Sequence, residues 1–378
     1  MKAIVLGCGL VGGLIAKDLA KDKDFQVTAA DIDEKKLNNF AEEAGIKGVK
    51  ADLSNSSVIK KLVADKDIVI GAVPGFLGFN MLQSVIEAGK NIVDISFMPE
   101  DPLSLDELGK KKGITAVVDM GVAPGLSHMI VGYADSLLDE TESAIILVGG
   151  LPVIREWPYE YKIVFSPKDV IEEYIRPARL MEGGEIIEKT ALSDIELVDL
   201  PKIGTLESFN TDGLRSLLYT LNIPNMKEKT LRYSGYAEKM RMLRETGFFS
   251  DVPIEVGSVK IKPLDLTSKL LFSKWKLKED EEELTVMKII IQGKKEEKRL
   301  CYTYDLLDYY DKKEKATSMS RTTGFPCAIM ARLVAQKEFQ YPGICPPEYI
   351  GREHQAYKKV MKELEKRNIL YKESIVEI

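Results

Sequence analysis

The sequence predicts an α/β protein, with a doubly wound parallel sheet followed by a second α/β (α+β) domain whose sheet is largely antiparallel. Three observations carry this. A short apolar strand runs directly into a glycine-rich loop and an amphipathic helix, in "KAIVLGCGLVGGLIAKDL". Short β-branched strands then alternate with loops and amphipathic helices through the first third of the chain. From about Glu140 the pattern changes to longer alternating strands with hairpin signals, as in "EELTVMKIIIQGKKEEKRLCYTYDLLDYYD". A chain of 378 residues exceeds what one core usually supports, so two domains are expected. We place the first at 1–125 and the second at 126–324. The charged, amphipathic segment from about 325 to 378 is expected to pack back on the first.

Composition excludes several classes of function. The net charge of -6 is spread over intermingled Lys and Glu, with no basic block of the kind that binds nucleic acid. Four scattered cysteines (Cys8, Cys301, Cys327, Cys345) form no CxxC pair, which fits a reducing cytoplasm and free thiols. Two histidines, His128 and His354, exclude a histidine-rich metal centre, and no metal is expected. Glycines interrupt the apolar opening stretch and Lys17-Asp18 ends it, against a signal peptide. With no run of about 20 apolar residues, a soluble protein without a membrane partner is expected.

Element by element, the strand at Lys2–Leu6 leads into Gly7-Cys8-Gly9-Leu10-Val11-Gly12 and a helix with apolar positions at Val11, Leu14, Ile15 and Leu19. This is the fingerprint of a Rossmann dinucleotide site. Gly7 permits the turn, Gly9 the approach of a pyrophosphate and Gly12 close packing of helix on strand, while the helix start aims its amides at the phosphates. The next strand ends in Asp31, about twenty residues on, where a carboxylate accepts the ribose hydroxyls; capping of the following helix is the alternative role. Asp31 and Asp33 would repel a 2′-phosphate and no arginine stands nearby, so NAD is expected rather than NADP. Ligands sit beyond the carboxyl ends of such strands. Asp52 (placed near the adenine), Ala72-Val73-Pro74, Ser96-Phe97 and Asp119 should therefore ring one crevice. In the second half, "SAIILVGGLP" and "YKIVFSP" read as strands, "KDVIEEYIRPARL" as a helix, and "GGEIIEKTALSDIELVDLPKIG" as edge and hairpin strands.

The segments "DMGVAPGLSHM", "GGLP", "TLRYSGYAEKM" and "SRTTGFPCAIMARL…PGICPPE" resemble, in order, the saccharopine dehydrogenase-like family of amino-acid oxidoreductases. The resemblance implies an NAD(P)-linked enzyme on a small amino-acid substrate, with a substrate and dimerisation domain and a homodimer as its assembly. Arg232 resembles the family's substrate-side arginine, with Tyr233 beside it, and Lys168 its basic position after the "YK…FS" strand. Saccharopine carries three carboxylates and calls for several arginine forks. Here Lys168 replaces Arg, Thr211 stands in "FNTDGL" where Arg is usual, and Ala123 stands in "GVAPG" where Asp is usual. These departures make the chain resemble L-lysine 6-dehydrogenases more than saccharopine or carboxynorspermidine dehydrogenases, although Arg155, Arg176 and Arg179 could compensate. The implied reaction oxidises the ε-carbon of lysine to 2-aminoadipate 6-semialdehyde and ammonia. It needs a base or a water chain, for which Asp119 and His128 are candidates; each could instead serve the local fold, Asp119 as a turn cap and His128 bonded to backbone. Asp212 could meet the substrate α-ammonium or open the turn at Gly213. An NAD-binding protein without turnover is the reading from another class. A broken glycine loop would favour it, and the loop is whole.

Overall fold

The computed structural model describes residues 1–164, 167–278 and 281–378, and all side chains among these except those at 36 and 167–169. The chain divides into two compact units, Met1–Leu137 with Ser320–Leu370, and Leu138–Met319 with Tyr371–Ile378. The division falls a dozen residues later than the sequence indicates, because the helix Leu126–Leu137 stays with the first unit. The extreme C-terminus also departs from the expectation. Residues 371–377 form a strand of the second unit, since their backbone groups pair there.

The first unit is a parallel sheet built from β1 (Lys2–Leu6), β2 (Gln26–Asp31), β3 (Lys47–Lys50), β4 (Ile68–Gly71), β5 (Ile92–Asp94), β6 (Thr115–Val117) and the strand Gly343–Cys345. The spatial order is Gly343–Cys345, β6, β5, β4, β1, β2, β3. Runs such as Ala3-Ile4-Val5-Leu6 and Ile68-Val69-Ile70 are fully buried, as a sheet covered on both faces requires. Helix α1 (Leu10–Ala20) buries Ile15, Ala16 and Leu19. Chain order reverses between β1, which pairs with β2 on one side, and β4 on its other side. That reversal opens a crevice at the carboxyl ends of β1 and β4. Asp18 on α1 takes Arg332 at 2.7 Å and Arg367 at 3.1 Å, fastening the C-terminal segment of this unit to the helix that follows the glycine loop.

The second unit is a mixed, mainly antiparallel sheet. Its strands are β7 (Glu140–Pro152), β8 (Ala178–Glu182), β9 (Glu185–Lys189), β10 (Glu196–Leu200), β11 (Gly204–Asn210), β12 (Met226–Tyr233), a separate ribbon of β13 (Ile254–Val256) and β14 (Val259–Ile261), β15 (Glu283–Lys295), β16 (Lys298–Tyr309) and β17 (Tyr371–Glu377). The path runs β10, β11, β12, β7, β15, β16, β17, with only the β12–β7 pair parallel along it. Helices α2 (Pro167–Ile175), α3 (Tyr236–Glu245) and α4 (Pro263–Trp275) pack an aromatic core of Tyr161, Tyr174, Tyr236, Phe249 and Trp275. Two local expectations fail. Of the expected strand "YKIVFSP", residues 165 and 166 lie outside the described residues, and Tyr161 to Val164 hold one isolated bridge, Ile163 to Lys276, with Tyr161 and Ile163 packed in the core. The expected helix through Leu180 stops at Ile175, since Pro177 cannot continue it, and Ala178 begins β8. No described helix is long and apolar enough to cross a membrane.

Candidate functional site

In the first unit the glycine loop is built by close approach. Gly7 has φ +97°, and a Cβ there would lie 2.3 Å from the Ala72 carbonyl oxygen. A Cβ on Gly12 would lie 2.1 Å from the Gly7 carbonyl oxygen, so the start of α1 is pressed against the end of β1. A Cβ on Gly9 meets nothing within 4 Å, which leaves the middle of the loop open. Asp31, at the end of β2, accepts the Cys8 N–H at 2.7 Å with one oxygen and the Asp33 N–H at 3.0 Å with the other. The carboxylate thus fixes the loop and still lies partly open. Burial, helped by the Asp31 charge, pushes the Cys8 thiol up to about 12, so Cys8 contributes backbone rather than a thiolate. Leu10, Ile32 and Phe76 follow β1, β2 and β4 and are 60, 66 and 59% exposed, apolar surfaces at the mouth of the crevice. Ile32 and Phe76 escape sequence reasoning, because an exposed apolar residue is unremarked until its neighbours are known.

The remaining first-unit candidates divide. Ala72-Val73-Pro74 lie where expected: the Ala72 N–H continues the ladder onto the Leu6 carbonyl at 2.9 Å, and Pro74 precedes the helix Gly75–Glu87. Val11 begins α1 beside Gly12. Asp52 is exposed and accepts from Ser54 N–H and Oγ, bonds that hold its carboxyl below the usual range and make it a turn former. Ser96 is 2% exposed and donates to Asp94 at 2.8 Å, so its side chain points inward, while Phe97 is half-buried. Asp119 and His128, expected to reach the crevice, are 3 and 0% exposed. Asp119 has φ +51° and its carbonyl accepts the Gly121 N–H at 3.0 Å, opening a loop in which Gly121 and Gly125 bridge one another. His128 lies on the inner face of Leu126–Leu137, with Nδ1 3.0 Å from Ser127 Oγ. Both side chains are buried in this structure.

In the second unit, β12 presents Glu228, Thr230 and Arg232 on one face and Lys229, Leu231 and Tyr233 on the other, as strand alternation requires. Arg232 and Tyr233, adjacent in sequence and expected together, therefore separate. Tyr233 donates to the Pro152 carbonyl at 2.9 Å and lies under the Arg155 guanidinium. Arg232 is 3% exposed, pairs with Glu173 of α2 at 2.8 Å and stacks over Tyr161 at 4.6 Å. The charge of Glu173 holds its guanidinium protonated against the burial cost, and its Nε has no hydrogen-bond acceptor. Asp212 is bound in a fork by Arg179 at 2.9 Å on each oxygen, so each of these two candidates for a substrate contact neutralises the other. Arg155 likewise pairs with Glu160 and Arg176 with Glu172. The side chain of Lys168 lies outside the described residues. Glu228, which the sequence reading missed, is 4% exposed, and burial pushes its carboxyl up to about 8 although Thr211 donates to it at 2.5 Å. The i, i+2, i+4 spacing of Glu228, Thr230 and Arg232 was the available signal. Among the described residues no group of three or more His, Cys, Asp or Glu side chains has the geometry to hold a metal ion.

These features meet a wider pattern. Residues 3–117 match the family model for the saccharopine dehydrogenase NADP binding domain, and residues 121–370 that for the saccharopine dehydrogenase C-terminal domain. The chain is 27% identical over 293 residues to a saccharopine dehydrogenase [NADP(+), L-glutamate-forming] of Saccharomyces cerevisiae, covering 73% of this chain and 65% of that one. It is 25% identical over 263 residues to the mitochondrial alpha-aminoadipic semialdehyde synthase of Mus musculus, covering 66% of this chain. The chain spans only 28% of the length of that mouse protein. Carboxynorspermidine synthase of Vibrio cholerae is 24% identical, with 93% of this chain and 92% of that one aligned. The apo saccharopine dehydrogenase (L-Glu forming) structure from Saccharomyces cerevisiae shares the fold, with a TM-score of 0.83, 21% identity and 99% of each chain covered.

Proposed function

The chain belongs to the saccharopine dehydrogenase family, and from that premise we propose that it is an NAD-dependent amino-acid dehydrogenase that deaminates the ε-carbon of L-lysine. The observation that carries the choice of substrate is a charge inventory. Arg155, Arg176 and Arg179, the cations that could have matched a substrate with three carboxylates, are each held by a carboxylate of the chain. Arg232 is paired as well, with Glu173 at 2.8 Å, but keeps one buried guanidinium donor, Nε, without an acceptor. One such donor suits one α-carboxylate.

The residues fit a dinucleotide. The crowding of Gly7 and Gly12 against β1 and Ala72, with open space at Gly9, leaves room for a pyrophosphate at the start of α1. Asp31 favours ribose hydroxyls over a 2′-phosphate, because its carboxylate already faces the loop and would repel a second anion. NAD is therefore our reading. The nicotinamide, when bound, accepts a hydride.

In the proposed reaction the substrate ε-ammonium, with an ordinary pKa of about 10.4, loses a proton, and its CH loses hydride to NAD. The resulting iminium takes up water and releases ammonium with the 6-semialdehyde. A base or a water chain takes up that proton, and Asp119 and His128, buried in this structure, are the candidates for it. The relatives' printed names favour saccharopine and NADP as the second reading. Initial rates with L-lysine or saccharopine, each against NAD and NADP, decide between them. Reduction of NAD with lysine is expected; reduction only with saccharopine refutes the substrate, and a preference for NADP refutes the role given to Asp31. Turnover in neither case supports an NAD-binding protein.

A further inference from the structure

Asp212 is taken up by Arg179 and Glu173 by Arg232, but a third carboxyl beside them, Glu228 of β12, pairs with no cation among the described residues. Its Oε2 accepts from Thr211 Oγ1 at 2.5 Å, and Thr211 Oγ1 lies 3.0 Å from Thr230 Oγ1. The turn that follows Thr211 closes over it, since a Cβ on Gly213 would stand 2.4 Å from the same oxygen. Burial, and after it the charges of Glu173 and Asp212, push the carboxyl up against the pull of Thr211 and Arg232. Glu228 thus stays protonated at neutral pH for want of a cation.

Arg232 stands on the same face of β12, two residues beyond Thr230. Its Nη2 donates to Glu173 at 2.8 Å and its Nη1 to the Leu231 carbonyl at 2.9 Å. The rings of Tyr161 and Tyr236 lie 4.6 and 5.8 Å from the guanidinium carbon. Nε alone of its nitrogens is left without an acceptor. The row therefore lacks two things, an anion at Arg232 Nε and a cation at Glu228. One group supplies both if it carries a carboxylate and an ammonium on a single carbon, as the head of an α-amino acid does.

We propose that Glu228 receives the α-ammonium of the amino-acid substrate, beside its α-carboxylate on Arg232, so that the β12 row is a receptor for a zwitterionic head group. This rests on the reading of Arg232 given under the proposed function. The turn at Gly213 lifts to admit the ligand. On binding, the Glu228 O–H bond breaks, its proton passes to solvent, and the carboxylate left behind pairs with the ammonium. A second carboxylate in place of the ammonium would face Glu173, Asp212 and Glu228 together and is rejected.

Titration calorimetry of the full chain bound to NADH, which cannot take up hydride, tests this by comparing L-lysine with 6-aminohexanoate, which lacks only the α-ammonium. At pH 7 L-lysine should bind roughly 10- to 100-fold more tightly. In two buffers of different ionisation heat it should also release about one proton more than 6-aminohexanoate. Glu228→Gln, close in shape, should lose both differences and bind 6-aminohexanoate as the wild type does. The comparison of ligands on the wild type stands even where the variant does not fold. Equal affinity for the two ligands, no extra proton, or a variant weakened equally toward both overturns the proposal. If NAD is reduced by lysine alongside any of these, the proposed reaction stands without the Glu228 site. The expected binding without reduction of NAD upholds the site and refutes the reaction, and failure of L-lysine to bind overturns both.

Discussion

At Asp31 a single carboxylate fastens the glycine loop through Cys8, and in the proposed NAD site it would also meet the ribose. Charge-assisted hydrogen bonds are worth about 1.5–3 kcal/mol each, so Asp31→Ala should raise the KM for NAD by roughly 10- to 100-fold, with a smaller change in the KM for lysine. Equal changes in both would refute the assignment. Glu228 makes a different prediction. Its carboxyl ionises near 8 in the folded chain against an ordinary value of 4.5. Between these values the folded protein keeps a proton that the unfolded chain has released, so stability falls as pH rises through that window. Glu228→Gln should flatten the fall and gain stability relative to wild type at pH 8, read by urea unfolding at pH 5, 6, 7 and 8; an unchanged slope would show that Glu228 ionises normally.

At the scale of the element, the strand, glycine loop and helix form the most local part of the structure. A Cβ on Gly12 would stand 2.1 Å from backbone, which has no flexible end to yield. Gly12→Ala should cost about 1–3 kcal/mol in stability by forcing α1 away from β1, and should abolish NAD binding in a titration of intrinsic fluorescence or heat. Tight binding by this variant would mean that the loop does not hold the pyrophosphate. This locality also explains what could be read from the sequence. Gly7, Gly9, Gly12 and Asp31 act within one βαβ unit, so spacing alone marks them, and the six parallel strands of the first third follow from their apolar runs, whereas the seventh, Gly343–Cys345, pairs with Thr115–Val117 from more than 200 residues away and carries no local mark. The Arg232–Glu173 pair joins β12 to α2 across 59 residues, and the Arg179–Asp212 fork spans 33. No local pattern marks such partners. His128 and Asp119 were ambiguous for the same reason, since burial is decided by what packs over a side chain. Pro177 was a local signal that could have ended the predicted helix before Arg179.

At the scale of the whole molecule, family membership supports the proposed chemistry on an amino acid, and the proposed substrate rests on the chain's own charges. Arg155, Arg176 and Arg179 are held by chain carboxylates, while Arg232, also paired with Glu173, keeps one buried guanidinium donor without an acceptor, and the proposal of a substrate with one carboxylate rests on that difference. The co-product tests that claim most directly. With L-lysine and NAD, ammonia and reduced cofactor should appear in equal amounts and no glutamate should form. Release of glutamate from saccharopine, with no ammonia from lysine, would contradict the account.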